Sequence, residues 1–503
     1  MARRVLYAFA GVAAAFAIVG IYRGFFSSSK TPSPSGETTT RRFAHRIVHL
    51  DLKGAPPTMS YLVDLLPFLK RLGATGLLVE YEDMYPYSGD LSLLRRADAY
   101  TEAEIKRLVA KANSLHLDLI PLVQTFGHLS FVLKHERFAP LRADPRDVTS
   151  LCASNPDSAA LAKRLVADVA RLHPNAKRIH VGGDEVGGIG RCRTDAGRGG
   201  TSALYVAHMK PILEYVTETL AVTPLLWHDM LAQWSIGDLT KFSHLAEPMI
   251  WEYRADVRYH VDAATLRRFS ATFPRVWAAS AFKGADGSYE DFTPIRTRVA
   301  NHVAWSKILN EYPGPGELIG IALTGWSKYD HFAIPCELLP PALPSLALCL
   351  STLKSGALLA SEHERVSRLL GFRDSLVPLD YFDAKKSDFG SLSYPGGPVY
   401  NFIFYVDKLR HIGQRCTKLD VTWISPWNQK RNSLNWYRVN QAAECYEKLA
   451  EDFTAAADKA KTVLGLFLRA ADVEEWIQTK LFSFAERAKE FHQKAINAFN
   501  ELQ

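Results

Sequence analysis

Eight short apolar runs rich in β-branched residues recur along the first two thirds of this chain, each followed by a longer stretch with helical apolar spacing. A strand that feeds a helix and then another strand is returned to the same edge, so consecutive strands pair in parallel. The runs lie at residues 47–52, 76–81, 117–123, 178–181, 223–227, 249–251, 275–279 and 318–323. Eight such units in about 280 residues are the length of a (β/α)8 barrel. Apolar spacing predicts helices over 61–72, 103–115, 158–172 and 204–220, the second opened by Thr101-Glu102. The expected fold class is therefore α/β, a (β/α)8 TIM barrel over residues 45–350. Beyond residue 350 strand signals fade, a loop surrounds Tyr394-Pro395-Gly396-Gly397-Pro398, and residues 434–503 alternate charged and apolar positions at helical spacing. Residues 351–503 are expected to be a mainly helical extension packed on the barrel, with a homodimer contact as its alternative use.

The ends of the eight runs carry residues unsuited to a core. In chain order these are Asp51 and Lys53, Glu82 and Asp83, Gln124 and His128, Asp184 and Glu185, then Trp227 and Asp229, Trp251 and Tyr253, Phe282 and Lys283, and Trp326 and Asp330. Strand C-termini form the catalytic face of such barrels, so these side chains are expected to converge on one mouth. The fourth set lies in His180-Val181-Gly182-Gly183-Asp184-Glu185, where two neighbouring carboxylates leave an apolar strand through a glycine turn. Like charges that close resist joint ionisation, which suits one acid to hold a proton and the other to stay charged. Burial and the Asp184 charge are expected to raise the pKa of Glu185. Adjacent acids are badly placed to flank a sugar as acid and enzymic nucleophile. They suit a reaction in which a 2-acetamido oxygen of the substrate attacks the anomeric carbon. The structural alternative is a strand-end pair serving helix N-termini.

Other classes find less support. The formal net charge is +7, yet basic and acidic residues are interspersed and no nucleic-acid-binding motif is present. The six cysteines, at 152, 192, 336, 349, 416 and 445, form no CxxC or metal-ligand spacing. No metal or other cofactor is expected, and disulfide pairing is left open. A catalytically silent carbohydrate-binding barrel is the alternative function; it would keep the tryptophans and lose the acids.

The His180–Glu185 hexapeptide resembles the signature of glycoside hydrolase family 20, the β-N-acetylhexosaminidases. Wider segments are similar to the hexosaminidase D branch: His49-Leu50-Asp51-Leu52-Lys53-Gly54-Ala55-Pro56-Pro57, Glu80-Tyr81-Glu82-Asp83-Met84, Gln124-Thr125-Phe126-Gly127-His128, Trp277-Ala278-Ala279-Ser280-Ala281-Phe282-Lys283-Gly284, Leu323-Thr324-Gly325-Trp326 and Tyr329-Asp330-His331. The resemblance implies an exo-acting, retaining hydrolase that releases terminal β-linked N-acetylgalactosamine or N-acetylglucosamine. It implies Glu185 as proton donor, Asp184 as the residue that polarises the acetamido group, and His128 in the network behind them. Position then suggests Trp227, Trp251 and Trp326 for stacking on the pyranose, with Trp277 assigned to the core. Tyr253 is placed to donate to the acetamide oxygen, and Asp229, Asp330 and Glu82 to accept from sugar hydroxyls. His180 is assigned to the strand-end network. One departure is plain: family members often carry an arginine after the first strand to grip hydroxyls, where this chain has Asp51-Leu52-Lys53.

The N-terminal 26 residues hold an uncharged apolar stretch, 5–22, preceded by Arg3 and Arg4. At ~1.5 Å per residue it is just long enough for a hydrocarbon core, and the flanking charges favour a cytoplasmic tip. A Ser/Thr/Pro-rich stem over 27–44 would then present the catalytic domain in the secretory lumen, as in type II Golgi proteins. Two other readings stand beside the anchor. Ala15-Phe16-Ala17 resembles a signal-peptide cleavage site, and the lack of acids before Glu37 fits a mitochondrial presequence.

Overall fold

A computed structural model describes residues 41–373, 375–380 and 389–500. The apolar stretch at 5–22 and most of the stem lie outside them. Among the described residues no helix is long and apolar enough to cross a membrane.

All eight expected strands are present: β1 (His45–Asp51), β2 (Gly76–Glu80), β3 (Asp118–Leu122), β4 (Arg178–His180), β5 (Thr223–Trp227), β6 (Glu247–Trp251), β7 (Arg275–Lys283) and β8 (Glu317–Gly325). They close in parallel in the order β1-β8-β7-β6-β5-β4-β3-β2. A helical segment follows each strand: α1 (Met59–Leu72), α2 (Glu102–Ser114), α3 (Pro156–Arg171), α4 (Thr201–Glu214), the short α5 (Ile236–Leu239), α6 (Ala263–Thr272), α7 (Ile295–Glu311) and α8 (Leu339–Ser355). The Thr101 start signal is real, since its hydroxyl accepts from Glu104 N–H while the Glu104 carboxylate accepts from Thr101 N–H. A small antiparallel hairpin, Arg142–Asp144 with Asp147–Leu151, interrupts the third βα connection and was not legible as strand.

Side-chain alternation turns this barrel into a site. Ile47, Leu78, Leu122, Leu225, Met249 and Ala322 belong to one buried cluster inside the barrel. Successive strand residues point to opposite faces, so the same inward face two positions further on presents His49, Glu80, Gln124, Trp227, Trp251 and Thr324. The interior thus changes from aliphatic to polar and aromatic at the C-terminal end of the strands. A larger apolar jacket lies between strands and helices.

Beyond α8 come α9 (Ala360–Leu370), α10 (Gly397–Trp423), α11 (Trp436–Leu464), α12 (Ala470–Ile477) and α13 (Ser483–Asn500). The 27-residue α10 starts inside the segment whose Pro and Gly content reads as a loop, because Pro398 occupies the first turn, where its missing N–H costs nothing. This extension has its own apolar cluster, including Phe402, Phe453, Trp476 and Leu481, and that cluster also takes in Ala55 from the loop after β1. Two disulfides are present. Cys152–Cys192 ties the hairpin to the loop after β4, and Cys416–Cys445 ties α10 to α11. Cys336 and Cys349 are buried thiols.

Candidate active site

The turn after β4 can be built only with glycine. Gly182 and Gly183 have φ of +66° and +86°, a region that side chains disfavour. A Cβ on Gly182 would fall 2.0 Å from Gln124 Oε1. His180 Nδ1 accepts from Gly182 N–H at 3.0 Å, so this histidine secures the turn as its strand position implies. Tyr205 Oη donates to Gly183 O at 2.8 Å from behind. Glu185 itself sits at φ +45°. Its N–H donates to Asp229 Oδ2 at 2.9 Å, while Asp229 Oδ1 accepts from Trp251 Nε1 at 3.0 Å. Backbone strain at an exposed acid, held by a second, half-buried acid, is characteristic of a functional turn.

His128 joins the two acids. Its Nε2 lies 3.3 Å from Asp184 Oδ2 and 3.3 Å from Glu185 Oε2. Burial works against an imidazolium here, but the Asp184 charge and the contacts with both carboxylates outweigh it and push the His128 pKa well above its usual value. The reverse holds for Glu185, whose side chain is 58% exposed: the His128 imidazole 3.3 Å away, opposed by burial, holds its carboxyl below its ordinary value. The sequence expectation of a raised Glu185 pKa is thus corrected. Adjacency to Asp184 was weighed there, and the cation bridging both acids was not. Burial and the Asp184 charge instead raise Asp229, to about 6. The His128, Asp184 and Glu185 ligand-type atoms lie within 4.8 Å of one another, so the trio is also where a cation would sit. A metal there would first have to displace the His128 proton.

Aromatic side chains line the region next to the acids. Trp227 is buried, its ring 4.3 Å from His180 and 6.1 Å from Trp326. Trp251 and Tyr253 stack at 5.3 Å. Burial raises the Tyr253 pKa well above its usual value; Trp326 and Thr324 interact with its hydroxyl, and the charges of Asp184 and Glu185 reach it. Trp277 lies deep in the core with its Nε1 on Glu247 Oε2 at 2.8 Å, as assigned. Asp184 Oδ1 and Trp227 Nε1 are buried without a hydrogen-bond partner, an acceptor and a donor unspent beside the acids.

A second polar group gathers at the ends of β1, β2 and β8. Lys53 Nζ donates to Asp51 Oδ2 at 2.8 Å and lies 4.8 Å from the Trp326 ring centre. Burial disfavours this ammonium, but Asp51, Glu80 and Glu82 hold its pKa above the usual value. Asp51 Oδ2 also accepts from Ser327 N–H at 2.8 Å. Glu80 receives Gln124 Nε2 at 3.1 Å and faces His49 Nε2 at 3.3 Å; burial opposes its ionisation, yet Lys53 and His49 bring it down to about 2. Glu82, at φ +45°, is buried beside Glu80, Asp51 and Asp83, and its pKa rises well above the usual value. It meets His331 Nδ1 at 3.1 Å. The structure brings Glu82 into this group but not Asp330, whose Oδ1 accepts from Phe332 N–H and Ala333 N–H and closes a local turn. Asp51 and Lys53 were expected at the mouth without a role, whereas Glu80, His49 and His331 were not singled out from the sequence. The signal for three of them was the period-two series His49, Asp51, Lys53 running up the inward face of β1.

Residues 62–264 match the model of the glycosyl hydrolase family 20 catalytic domain. Hexosaminidase D of Homo sapiens is 37% identical over 464 residues, covering 88% of this chain and 93% of that protein. Hexosaminidase D of Bos taurus is 42% identical over 335 residues, covering 65% of this chain and 96% of that protein. Among solved structures, the β-N-acetylhexosaminidase from Bacteroides fragilis aligns with a TM-score of 0.47 at 14% identity, covering 62% of this chain and 66% of that one.

Proposed function

The chain belongs to glycosyl hydrolase family 20, and from that premise we propose that it is an exo-acting β-N-acetylhexosaminidase working by a retaining, substrate-assisted mechanism. The observation that carries the mechanism is that both acids meet one nitrogen, His128 Nε2, and so approach from the same side. Carboxylates so placed cannot take opposite faces of an anomeric carbon. The nucleophile is then the acetamido oxygen of the substrate. Asp184, with Oδ1 unspent, accepts the acetamide N–H and stabilises the charge of the cyclic intermediate. Glu185 protonates the leaving oxygen and later takes a proton from the attacking water. Trp251, Tyr253 and Trp326 supply the apolar walls for ring and methyl group, with the Tyr253 hydroxyl toward the acetamide oxygen; Trp227, expected to stack on the sugar, is fully buried and backs Trp326 instead. Asp229 holds the Glu185 backbone and is a positioning residue.

With C1 at Glu185, the 4-hydroxyl points to the opposite end of the ring. Lys53, with one of its three donors on Asp51 and neighbours Glu80 and Glu82, is assigned to that hydroxyl in place of the family's arginine. Closure of this end by buried charged groups restricts the site to a terminal sugar. Glu185→Gln is expected to abolish turnover of an aryl N-acetyl-β-hexosaminide with the fold intact, and Asp184→Asn to impair it severely. An analogue without the acetamido group should not be cleaved; its efficient cleavage would refute the mechanism.

Separately, we propose that residues 5–22, apolar and preceded by Arg3 and Arg4, serve as a signal anchor and that the barrel is lumenal. Two disulfides support an oxidising compartment. Protease protection of the barrel in sealed microsomes tests this, and digestion without detergent would overturn it.

A further inference from the structure

The helical extension holds the two turns, after β1 and β2, that carry Lys53 and Glu82. Lys53 is followed by Gly54 at φ +70° and Ala55 at φ +47°, two successive left-handed residues that do not hold that shape unaided. A Cβ on Gly54 would fall 2.3 Å from Lys328 Cε, so the Lys328 stem lies directly on this turn. Lys328 Nζ is held in turn by Glu475 Oε1 of α12 at 2.7 Å, with the lysine side chain only 11% exposed. Ala55 is buried in the apolar cluster of the extension. Two residues further on, Pro57 pairs with Leu468, and Thr58 N–H donates to Phe467 O at 2.6 Å.

The loop after β2 is held from the same helix. Arg96 N–H donates to Asp83 O at 2.9 Å, next to Glu82, and the Arg96 guanidinium pairs with the buried Asp472 of α12 at 3.0 Å. Burial opposes the Arg96 charge, but Asp472 and Asp98 keep its pKa above the usual value. Both turns that bear the hydroxyl-facing groups are therefore tied to one eight-residue helix, through Glu475–Lys328–Gly54 and Asp472–Arg96–Asp83. Glu475, Lys328, Asp472 and Arg96 make no ion pair or hydrogen bond with Asp184 or Glu185 among the described residues.

We propose that α12 sets the sugar specificity of the site, positioning Lys53 and Glu82 against the 4-hydroxyl through Lys328 and Arg96. The proposal rests on the assignment of Lys53 to that hydroxyl. Glu475 and Lys328 are positioning residues, and their loss should alter recognition of one hydroxyl and not the chemistry at C1.

The test compares an aryl N-acetyl-β-hexosaminide with its 4-deoxy analogue on the full-length protein. The wild type is expected to lose about 10- to 100-fold in kcat/KM on deletion of the hydroxyl, the loss that goes with one hydrogen bond to a charged group. In Glu475→Gln and in Lys328→Met that loss should shrink by about threefold or more, through KM on the parent substrate, with kcat within about twofold. Lys328→Arg should retain wild-type discrimination. If the wild type cleaves both substrates alike, the assignment of Lys53 falls. If it discriminates and Glu475→Gln and Lys328→Met discriminate equally well, the role of α12 falls alone. A lower melting temperature with unchanged discrimination also refutes it, because that is all a structural tie would produce.

Discussion

Replacing His128 by glutamine removes the positive charge between the two acids while leaving a side chain able to hydrogen-bond. The contact from Nε2 to Asp184 Oδ2 is 3.3 Å, with the aspartate side chain 11% exposed. At an effective dielectric of about 20, Coulomb's law gives about 5 kcal/mol across that distance, an upper bound because burying the imidazolium opposes it. Each 1.36 kcal/mol of that attraction which survives the burial cost is a tenfold preference for keeping the proton on the trio. The sign follows from the direction of each shift. The His128 pKa is raised above 6.5, so its charge is present below that value and is lost as pH rises through the raised one. Glu185 is lowered below 4.5, so its contribution is present above that value and is lost as pH falls. Together they define a stabilised window from the acid side of 4.5 to the alkaline side of 6.5.

Within that window the free trio carries the proton that Glu185 must deliver. The alkaline limb of kcat/KM reports its loss. In His128→Gln the proton has only the carboxylates to sit on, so the limb should move to lower pH and activity at pH 7.5 should fall about tenfold or more. At pH 5 the deficit should be several times smaller. The assay is kcat/KM on an aryl substrate from pH 4 to 9, beside melting temperatures over the same range. A profile that is merely scaled down, with the alkaline limb unmoved, would refute the idea that His128 houses the proton.

Asp229→Ala should lower kcat about tenfold or more at nearly unchanged KM: it removes the acceptor of Glu185 N–H and of Trp251 Nε1, each such bond to a charged group being worth about 1.5–3 kcal/mol. Equal losses from Asp229→Asn and Asp229→Ala in KM alone would assign it to binding instead. Cys152→Ser with Cys192→Ser opens a link between residues 40 apart, which the chain-entropy model values at about 4 kcal/mol. The expected result is a clearly lower melting temperature, matched in the wild type by reduction under denaturing conditions; no change would mean the pair does not form.

The barrel was legible because each strand buries both faces, so its apolar run is short, continuous and bounded by polar mouth residues. The acids were legible for a related reason: Gly182-Gly183 has no use in a plain strand end. What could not be read was set by contacts far apart in sequence. The direction of the Glu185 shift depends on His128, 57 positions away, which adjacency to Asp184 does not reveal. Asp330 stood at the right place after β8, yet a local turn claims its carboxylate. Lys53 stands where family members often carry an arginine, and only its bond to Asp51 and its packing on Trp326 show it to be a buried ammonium. The long α10 was hidden by Pro398, whose position in a first turn is favourable.

On the proposed mechanism the unliganded site is set against premature chemistry. Glu185 is exposed and held ionised by His128, so it is a poor acid until something covers it. A sugar seated against Trp251 and Trp326 would remove water from that carboxyl, and desolvation raises a carboxylate's pKa. At the same time the acetamide N–H would take up Asp184, weakening the second anchor of the imidazolium. Both changes move the proton the same way, from His128 to Glu185 across 3.3 Å. A sugar without the acetamido group would supply neither the nucleophile nor the second half of that shift. Selectivity for 2-acetamido sugars would then be exercised twice, at the anomeric carbon and at the proton that must reach the leaving group.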